Sequence, residues 1–224
     1  VLPTRTIYTL QGAGVEVQMT FMQPALPDDI DLMSRPVTYL TWNCTSTDNA
    51  AHDVSIYFDA GMELAVNTGN QKVEWAQEDL PGLEVLKAGT KSQNVLARKG
   101  DDVRIDWGYF YLAAAKTDVS VSSIAPAAQS RMTFVGQGGL QKAFDSDMPR
   151  AVESDAPVMA MEFDLGSVSS SGKSCRAILA YDDIYSVLYF GEQLKAYWKK
   201  GGTTIDQILL EADKDYNSLA NRCE

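Results

Sequence analysis

The sequence predicts an all-β, mainly antiparallel fold: one large β-sandwich with a few short helices and a C-terminal helix. Short runs rich in β-branched and aromatic residues recur roughly every 8 to 12 residues, and each run is bounded by Gly, Pro, Asn or Asp. Helical periodicity becomes clear only near the end of the chain. A chain of 224 residues is long enough for such a sandwich to bury a sizeable core without disulfides or metals.

The first two strands are predicted to form a hairpin. Residues 4–10 and 15–23 alternate apolar and polar side chains, and the intervening segment 11–14, which reads QGAG, permits a tight reversal. We expect one face of this hairpin to lie in the core. An irregular crossover at 24–36 follows, because its prolines cannot donate to a strand ladder.

The remaining elements follow in chain order. Further strands are predicted at 37–45, 52–59, 61–67, 72–77, 84–88, 95–98, 103–107, 109–114, 119–123, 158–165, 175–181 and 185–190. A single helical turn is expected at 125–131, and 136–156 reads as a long loop of the kind that is usually functional or mobile. Helical spacing is seen in 191–200 and from Ile205 onward, where Thr204 and Gln207 fit a capping box.

Both ends of the sequence lead us to expect a piece of a larger protein. The chain starts at Val1 inside a strand-like pattern, and the apolar stripe of the last helix still runs at Glu224. A stripe of that length needs a partner surface, and a following domain is the natural one. We therefore divide the chain into a β-sandwich domain, residues 1–200, and a C-terminal helix, residues 201–224, that leads to a following domain.

Charge and composition exclude several classes of function. The net charge of −11 and the pI near 4.5 argue against nucleic acid and anionic membranes as partners, since both need a clustered positive surface. No apolar run reaches the roughly 20 residues that cross a bilayer, so no membrane insertion is expected. Cys44, Cys175 and Cys223 are too few and too widely spaced for a disulfide framework or a zinc site, and we expect buried free thiols.

No catalytic residue, metal ligand or cofactor is predicted from the motifs. His52, the single histidine, follows a polar turn and is interpreted as structural, which leaves no partner for a serine or cysteine nucleophile. The segment 169–174, SSSGKS, departs from a phosphate loop because Ser167 stands where the first glycine belongs and a strand follows. Clustered aspartates are interpreted as solvated turns, and they are Asp28, Asp29, Asp31, Asp145, Asp147, Asp182 and Asp183.

Aromatic residues provide the candidate ligand site. Trp75, Trp107 and Tyr109, with Tyr111 beside them, are candidates for a platform that stacks on the apolar face of a sugar. Half of an alternating aromatic strand must nevertheless face the core. The sequon at 43–45, NCT, lies inside a predicted strand and is expected to carry no glycan.

Several sequence blocks, in this order, resemble the amino-terminal β-sandwich domain of the glutaminase A family, in its bacterial members. The blocks are the stretch 2–42, RPVTYL at 35–40, HDV at 52–54, YFD at 57–59, WGY at 107–109 and YDDIY at 181–185. The resemblance covers essentially the whole chain. It implies a β-sandwich followed by a helical toroid of six hairpins that carries the chemistry, and a periplasmic or extracellular location.

Three functions are therefore weighed. The first is a non-catalytic domain that packs on and supports the toroid domain of a glutaminase-like hydrolase, with the toroid of the same polypeptide as partner. The alternative is a carbohydrate-binding or glycoside-hydrolase-associated module with a small-molecule or glycan ligand. A third, hydrolysis by this chain itself, needs two aspartates that converge about 5 to 10 Å apart in a cleft.

Overall fold

The computed structural model describes residues 1–223 and contains two packed β-sheets. Its strands are β1 (Arg5–Gly12), β2 (Val15–Met22), β3 (Val37–Ser46), β4 (His52–Gly61), β5 (Lys72–Leu80), β6 (Leu83–Thr90), β7 (Tyr109–Ala115), β8 (Val121–Pro126), β9 (Arg150–Ala151), β10 (Pro157–Val168), β11 (Lys173–Asp182), β12 (Val187–Tyr189) and β13 (Glu192–Leu194). Its α-helices are α1 (Ile30–Met33), α2 (Ala127–Gln137) and α3 (Ile205–Arg222), and 3₁₀ helices occupy Met62–Ala65 and Tyr197–Gly202.

The two main sheets are antiparallel throughout the described strands. The large sheet has the order β1-β2-β3-β11-β7-β6-β5-β9, and the small sheet has the order β4-β10-β8. Strands β12 and β13 form a separate hairpin. This architecture confirms the predicted all-β, mainly antiparallel fold with a few short helices and a C-terminal helix.

The main core lies between the two sheets. Alternate residues of β3, among them Leu40 and Trp42, point from the large sheet toward β10, whose Met161 and Phe163 are fully buried. The Trp42 ring centroid lies 5.7 Å from that of Phe163 and 5.5 Å from that of Phe58 on β4. The alternation of side chains across each strand thus places one apolar face of both sheets in the sandwich.

A second core covers the opposite face of the large sheet. There Ile208, Leu209 and Ala212 of α3 are buried in one cluster with Tyr39 of β3 and Ile178 of β11. The predicted capping box begins this helix, because the Thr204 side chain accepts from the Gln207 amide while the Gln207 side chain accepts from the Thr204 amide. The expectation that a following domain covers the apolar stripe of α3 was wrong, since the sheet of this chain covers most of it.

Helix α2 forms a fourth layer on the outer face of the small sheet. Ala127 of α2 packs with Leu140, Val158 and Ala160, and all four are buried. Where a single helical turn was predicted at 125–131, the structure contains an 11-residue helix. None of the helices in the described part of the chain is both long and apolar enough to cross a bilayer.

Some predicted elements differ from the structure for identifiable reasons. Segment 61–67 was predicted as a strand, but Met62 and Ala65 are both fully buried, a three-residue spacing that favours the 3₁₀ turn found there. Segments 95–98 and 103–107 lie outside the strands. The helix expected at 191–200 is replaced by β13 and a 3₁₀ helix.

The first hairpin matches its predicted position but not its predicted burial. Ala13 and Gly14 both have positive φ, as a two-residue hairpin turn requires, and Gly12 pairs with Val15. Phe21 of β2 packs against the main core. Strand β1, however, lies at the edge of the large sheet, where Tyr8 and Leu10 are exposed. The expectation of a core face holds for β2 and is wrong for β1.

The buried thiols give a direct chemical test of the packing. Cys44, Cys175 and Cys223 are free and buried, as the sequence predicted. Burial raises the pKa of the Cys175 thiol to about 12 and also raises the pKa of Cys44. Because the thiolate is the reacting species, we expect the native chain to resist labelling of both by a disulfide reagent in mildly alkaline buffer, whereas the urea-unfolded chain reacts. Rapid labelling of native Cys175 would contradict this packing.

Candidate functional site

A polar pocket of about 530 Å³ opens on the face of the large sheet that carries α3. Its walls come from β5, β6, β7 and β11, from the segment that includes the Tyr197–Gly202 helix, and from the start of α3. Three carboxylate and three ammonium groups line it, and they are Glu78, Asp182, Asp206, Lys87, Lys195 and Lys199. The pocket therefore has balanced charge in a chain with a net charge of −11.

Two ion pairs organise the pocket. Lys87 Nζ lies 3.0 Å from Glu78 Oε1 and 4.2 Å from the ring centroid of Tyr109, so the ammonium is held by a carboxylate and an aromatic face together. Lys199 Nζ donates to Asp182 Oδ1 and, at 3.2 Å, to the carbonyl of Ile184. These contacts position the cations of the pocket on β6 and on the 3₁₀ helix.

Tyr111 lines the pocket, and its hydroxyl reaches solvent although the residue as a whole is buried. It is 2% exposed, and its hydroxyl makes no hydrogen bond within residues 1–223. Burial raises its pKa well above the usual range, and the charges of Glu78, Asp182 and Asp206 raise it further. The hydroxyl consequently stays protonated and has an unused donor at the pocket.

Tyr39 is a matched buried tyrosine on the same sheet face, and its hydroxyl donates to the Ala212 carbonyl of α3 at 3.1 Å. Tyr39→Phe should lower the free energy of unfolding by about 1 kcal/mol, because it removes this hydrogen bond. Tyr111→Phe breaks no hydrogen bond and should leave the unfolding free energy unchanged. Urea unfolding of both variants checks this difference, and equal losses would show that Tyr111 has a partner.

The structure separates the three aromatic residues proposed as a sugar platform. Trp75 is 3% exposed between the sheets, where its Nε1 donates to the Asp145 carbonyl at 2.7 Å. Trp107 is 7% exposed and donates through Nε1 to the Tyr185 carbonyl at 3.0 Å. Tyr109 is partly buried on the opposite face of the sheet, next to the α3 core. Trp75 and Tyr109 thus lie on opposite faces of the large sheet, and both tryptophans are buried.

The candidate aspartates lie on three separate segments of the chain and make structural contacts there. Asp29 caps α1, and a hydrogen bond from the Leu32 amide is the main cause that lowers its pKa. Asp145 lies before β9 and pairs with Arg150 at 2.7 Å, whereas Asp182 at the end of β11 pairs with Lys199. Each of the three segments therefore has a carboxylate that serves a structural contact.

His52 has a structural partner. Its Nε2 lies 2.9 Å from Asp48 Oδ1, and this hydrogen bond is the main cause that lowers the pKa of Asp48 to about 2. Within residues 1–223 no cluster of three or more His, Cys, Asp or Glu residues has the grouping needed to hold a metal ion.

A second candidate surface is the β12–β13 hairpin, which we call the 187–194 hairpin. Its exposed apolar side chains are Val187, Leu188, Tyr189, Phe190 and Leu194. Phe190 at the tip is 91% exposed and, with Gly191, has positive φ in a two-residue turn. The Trp107 indole holds the base of the hairpin through Tyr185. Sequence reasoning missed the hairpin because it assigned its two halves to a strand and a helix, although the Phe-Gly turn between two short apolar runs was a usable signal.

Comparisons with known proteins match nearly the whole chain. A family model described as a domain of unknown function, DUF5127, matches residues 4–224. A protein named glutaminase A from Aspergillus oryzae is 28% identical over 227 residues, which is 97% of this chain and 32% of that protein. A solved structure from the human microbiome, described as a candidate kojibiose phosphorylase, aligns with 98% of this chain and 22% of its own at 10% identity and a TM-score of 0.46. The chain thus spans about a third of the curated relative that it matches.

Proposed function

The chain belongs to the DUF5127 family of domains of unknown function, and on that premise we propose that it is a non-catalytic β-sandwich domain of a larger, glutaminase A-like amidohydrolase. In this role it packs against and supports a catalytic toroid of six helical hairpins in the same polypeptide. The similarity to glutaminase A supports this assignment, because this chain corresponds to only 32% of that protein.

The observation that carries the proposal is the 187–194 hairpin. Soluble proteins rarely leave contiguous apolar patches uncovered, and large exposed ones mark interaction sites. Here Leu188, Tyr189 and Phe190 are all exposed. The rings of Tyr189 and Phe190 pack edge to face, with their centroids 4.6 Å apart. A rigid aromatic tip of this kind is suited to insertion between the helices of a neighbouring domain. We therefore assign the hairpin as the contact with the toroid.

The arrangement of acidic groups supports a role without chemistry in this chain. Asp145 is paired with Arg150, and Asp182 with Lys199, so these carboxylates are occupied by structural contacts. A hydrolase needs instead a nucleophile or an acid and base pair aimed at one reacting atom.

Ammonia release from L-glutamine tests the assignment. Purified residues 1–224 should release none above the buffer blank, whereas the full-length polypeptide that contains this chain should turn glutamine over. An equimolar sample of the urea-unfolded chain serves as the control for contaminating activity. Turnover by the folded 224-residue chain alone would overturn the proposal.

Two further expectations belong to the same proposal. An exported location, periplasmic or extracellular, is tested by fractionation of the source cells. Recovery of the polypeptide in the cytoplasmic fraction would contradict this expectation. A carbohydrate-binding module that uses Trp75, Trp107 and Tyr109 is the weaker candidate, because these rings face different parts of the fold. Calorimetric titration with glycans, with Trp107→Ala as comparison, tests it.

A further inference from the structure

We propose that the polar pocket beside α3 binds an uncharged polyhydroxy ligand of monosaccharide size, with Tyr111, Glu78 and Lys87 as its principal contacts. The site is different from the tryptophans considered above, and it is independent of the proposed docking of the 187–194 hairpin. The first observation behind it is Tyr111, which lines the cavity and whose hydroxyl has no hydrogen-bond partner within the described residues and reaches solvent.

A hydroxyl that only solvent reaches is free to pair with a ligand instead. Polar groups of native proteins are paired in the great majority of cases, and here the partner is either water or a ligand oxygen. Burial of the residue raises the pKa of Tyr111, and the three nearby carboxylates raise it further, so the protonated hydroxyl can donate to an oxygen of a ligand. Tyr39 shows what the same residue type does when the fold supplies the acceptor, since its hydroxyl binds the Ala212 carbonyl.

The equal number of carboxylate and ammonium groups in the pocket lining favours an uncharged ligand. Lys87 is paired with Glu78, and Lys199 with Asp182, so the charges of these four groups are already compensated. Lys195 and Asp206, which belong to neither pair, carry opposite charges, so the lining as a whole favours neither an anion nor a cation. A neutral molecule leaves both ion pairs in place.

The unused hydrogen-bond donors and acceptors of the pocket favour a ligand that carries hydroxyl groups. An ammonium group has three donors, and the contacts of Lys87 use one of them for Glu78 while its other contacts are aromatic faces. Each carboxylate can accept several hydrogen bonds, and within residues 1–223 the side chain of Glu78 accepts one, from Lys87. Sugar hydroxyls both donate and accept, so one ligand can meet the acceptors of Glu78 and the donors of Lys87 and Tyr111 together.

The size of the pocket and the rigidity of its walls also fit a ligand of monosaccharide size. A volume of about 530 Å³ lies within the range of small-molecule sites, roughly 300 to 1,000 Å³. Leu80 and Ile205 add an apolar part to the wall, against which the C–H face of a sugar ring can pack. Glu78, Lys87 and Tyr111 all stand on strands of the large sheet, which holds them in place without a ligand.

Chemical-shift titration of the 224-residue chain tests the proposal. D-glucose, D-galactose and D-mannose are added singly, and backbone amide shifts are followed at the walls of the pocket. At least one hexose should give saturable shifts at Lys87, Tyr111, Asp182 and Thr204. Tyr111→Phe should weaken that binding about three- to tenfold, the effect of one hydrogen bond. Glu78→Gln should weaken it as well, whereas Tyr39→Phe should leave it unchanged.

The control ligands are L-glutamine, which is zwitterionic, and inorganic phosphate. Saturable shifts at the pocket with either control and with none of the hexoses would overturn the proposal. So would the absence of pocket shifts with all three hexoses, or hexose affinity that Tyr111→Phe does not change. Because the assay measures no turnover, its result is separate from the test for glutamine hydrolysis.

Discussion

A chain that ends at Gly202, just before the C-terminal helix, is expected to lose cooperative folding. Helix α3 buries Ile208, Leu209 and Ala212 against the large sheet, whose Tyr39 and Ile178 would become exposed with its removal. Each large apolar side chain contributes roughly 1.5 to 3 kcal/mol on burial, so losing several of them matches the whole stability of a typical domain, about 5 to 15 kcal/mol. Thermal unfolding followed by near-ultraviolet circular dichroism measures this.

The matched control retains the helix and changes one contact. Leu209→Ala should lower the free energy of unfolding by about 2 to 5 kcal/mol and keep a cooperative transition, because the rest of the second core remains. A truncated chain that unfolds cooperatively at the midpoint of the intact one would contradict this expectation. It would support the division at residue 200 that the sequence suggested, with a helix that leads to a following domain.

Gly108→Ala is expected to be the most damaging single substitution away from the helix. Gly108 has φ of +83°, and an added Cβ would lie 2.0 Å from the Asp182 carbonyl oxygen and 2.9 Å from Asp183 Cα. Both atoms belong to the backbone at the end of β11, so neither can move aside cheaply. We expect a loss of about 4 kcal/mol or more in the free energy of unfolding.

Gly82→Ala is the control that isolates backbone strain from the clash. Gly82 has a similar φ of +79° and nothing within 4 Å of an added Cβ, so its substitution should cost only about 1 to 2 kcal/mol. Urea unfolding of the two variants compares them directly. If Gly108→Ala loses no more stability than Gly82→Ala, the close contact between this loop and β11 is not formed in solution.

The sequence predicted strands well where apolar and polar residues alternate over a long run. Strands β3 and β4 start at their predicted residues, and β3 ends one residue beyond its predicted end. Alternation does not say which strand lies at a sheet edge, because that depends on pairing between distant segments. Ile7 and Phe21 were predicted on one apolar face, yet Ile7 pairs with Thr20 and is exposed on edge strand β1 while Phe21 packs on the core.

The sequence could not predict the pocket either, because its lining also depends on pairing between distant segments. Glu78, Tyr111 and Asp182 stand on β5, β7 and β11, strands that become neighbours or near neighbours only through the order of the large sheet. The sequence predicted Tyr111 as a candidate for the sugar platform and Asp182 as part of a turn, with no signal joining them. Trp75 and Trp107 attracted attention as large aromatics, a property that core residues share.

Hydrogen–deuterium exchange of the 187–194 hairpin tests the central claim most directly. Exchange is compared between the 224-residue chain and the full-length polypeptide that contains it, with α2 and its exposed Met132 and Val135 as an internal reference. We predict that amides of the hairpin are markedly slowed in the full-length polypeptide while those of α2 are not. Equal exchange of the hairpin in both proteins would contradict its role as the contact with the rest of the polypeptide.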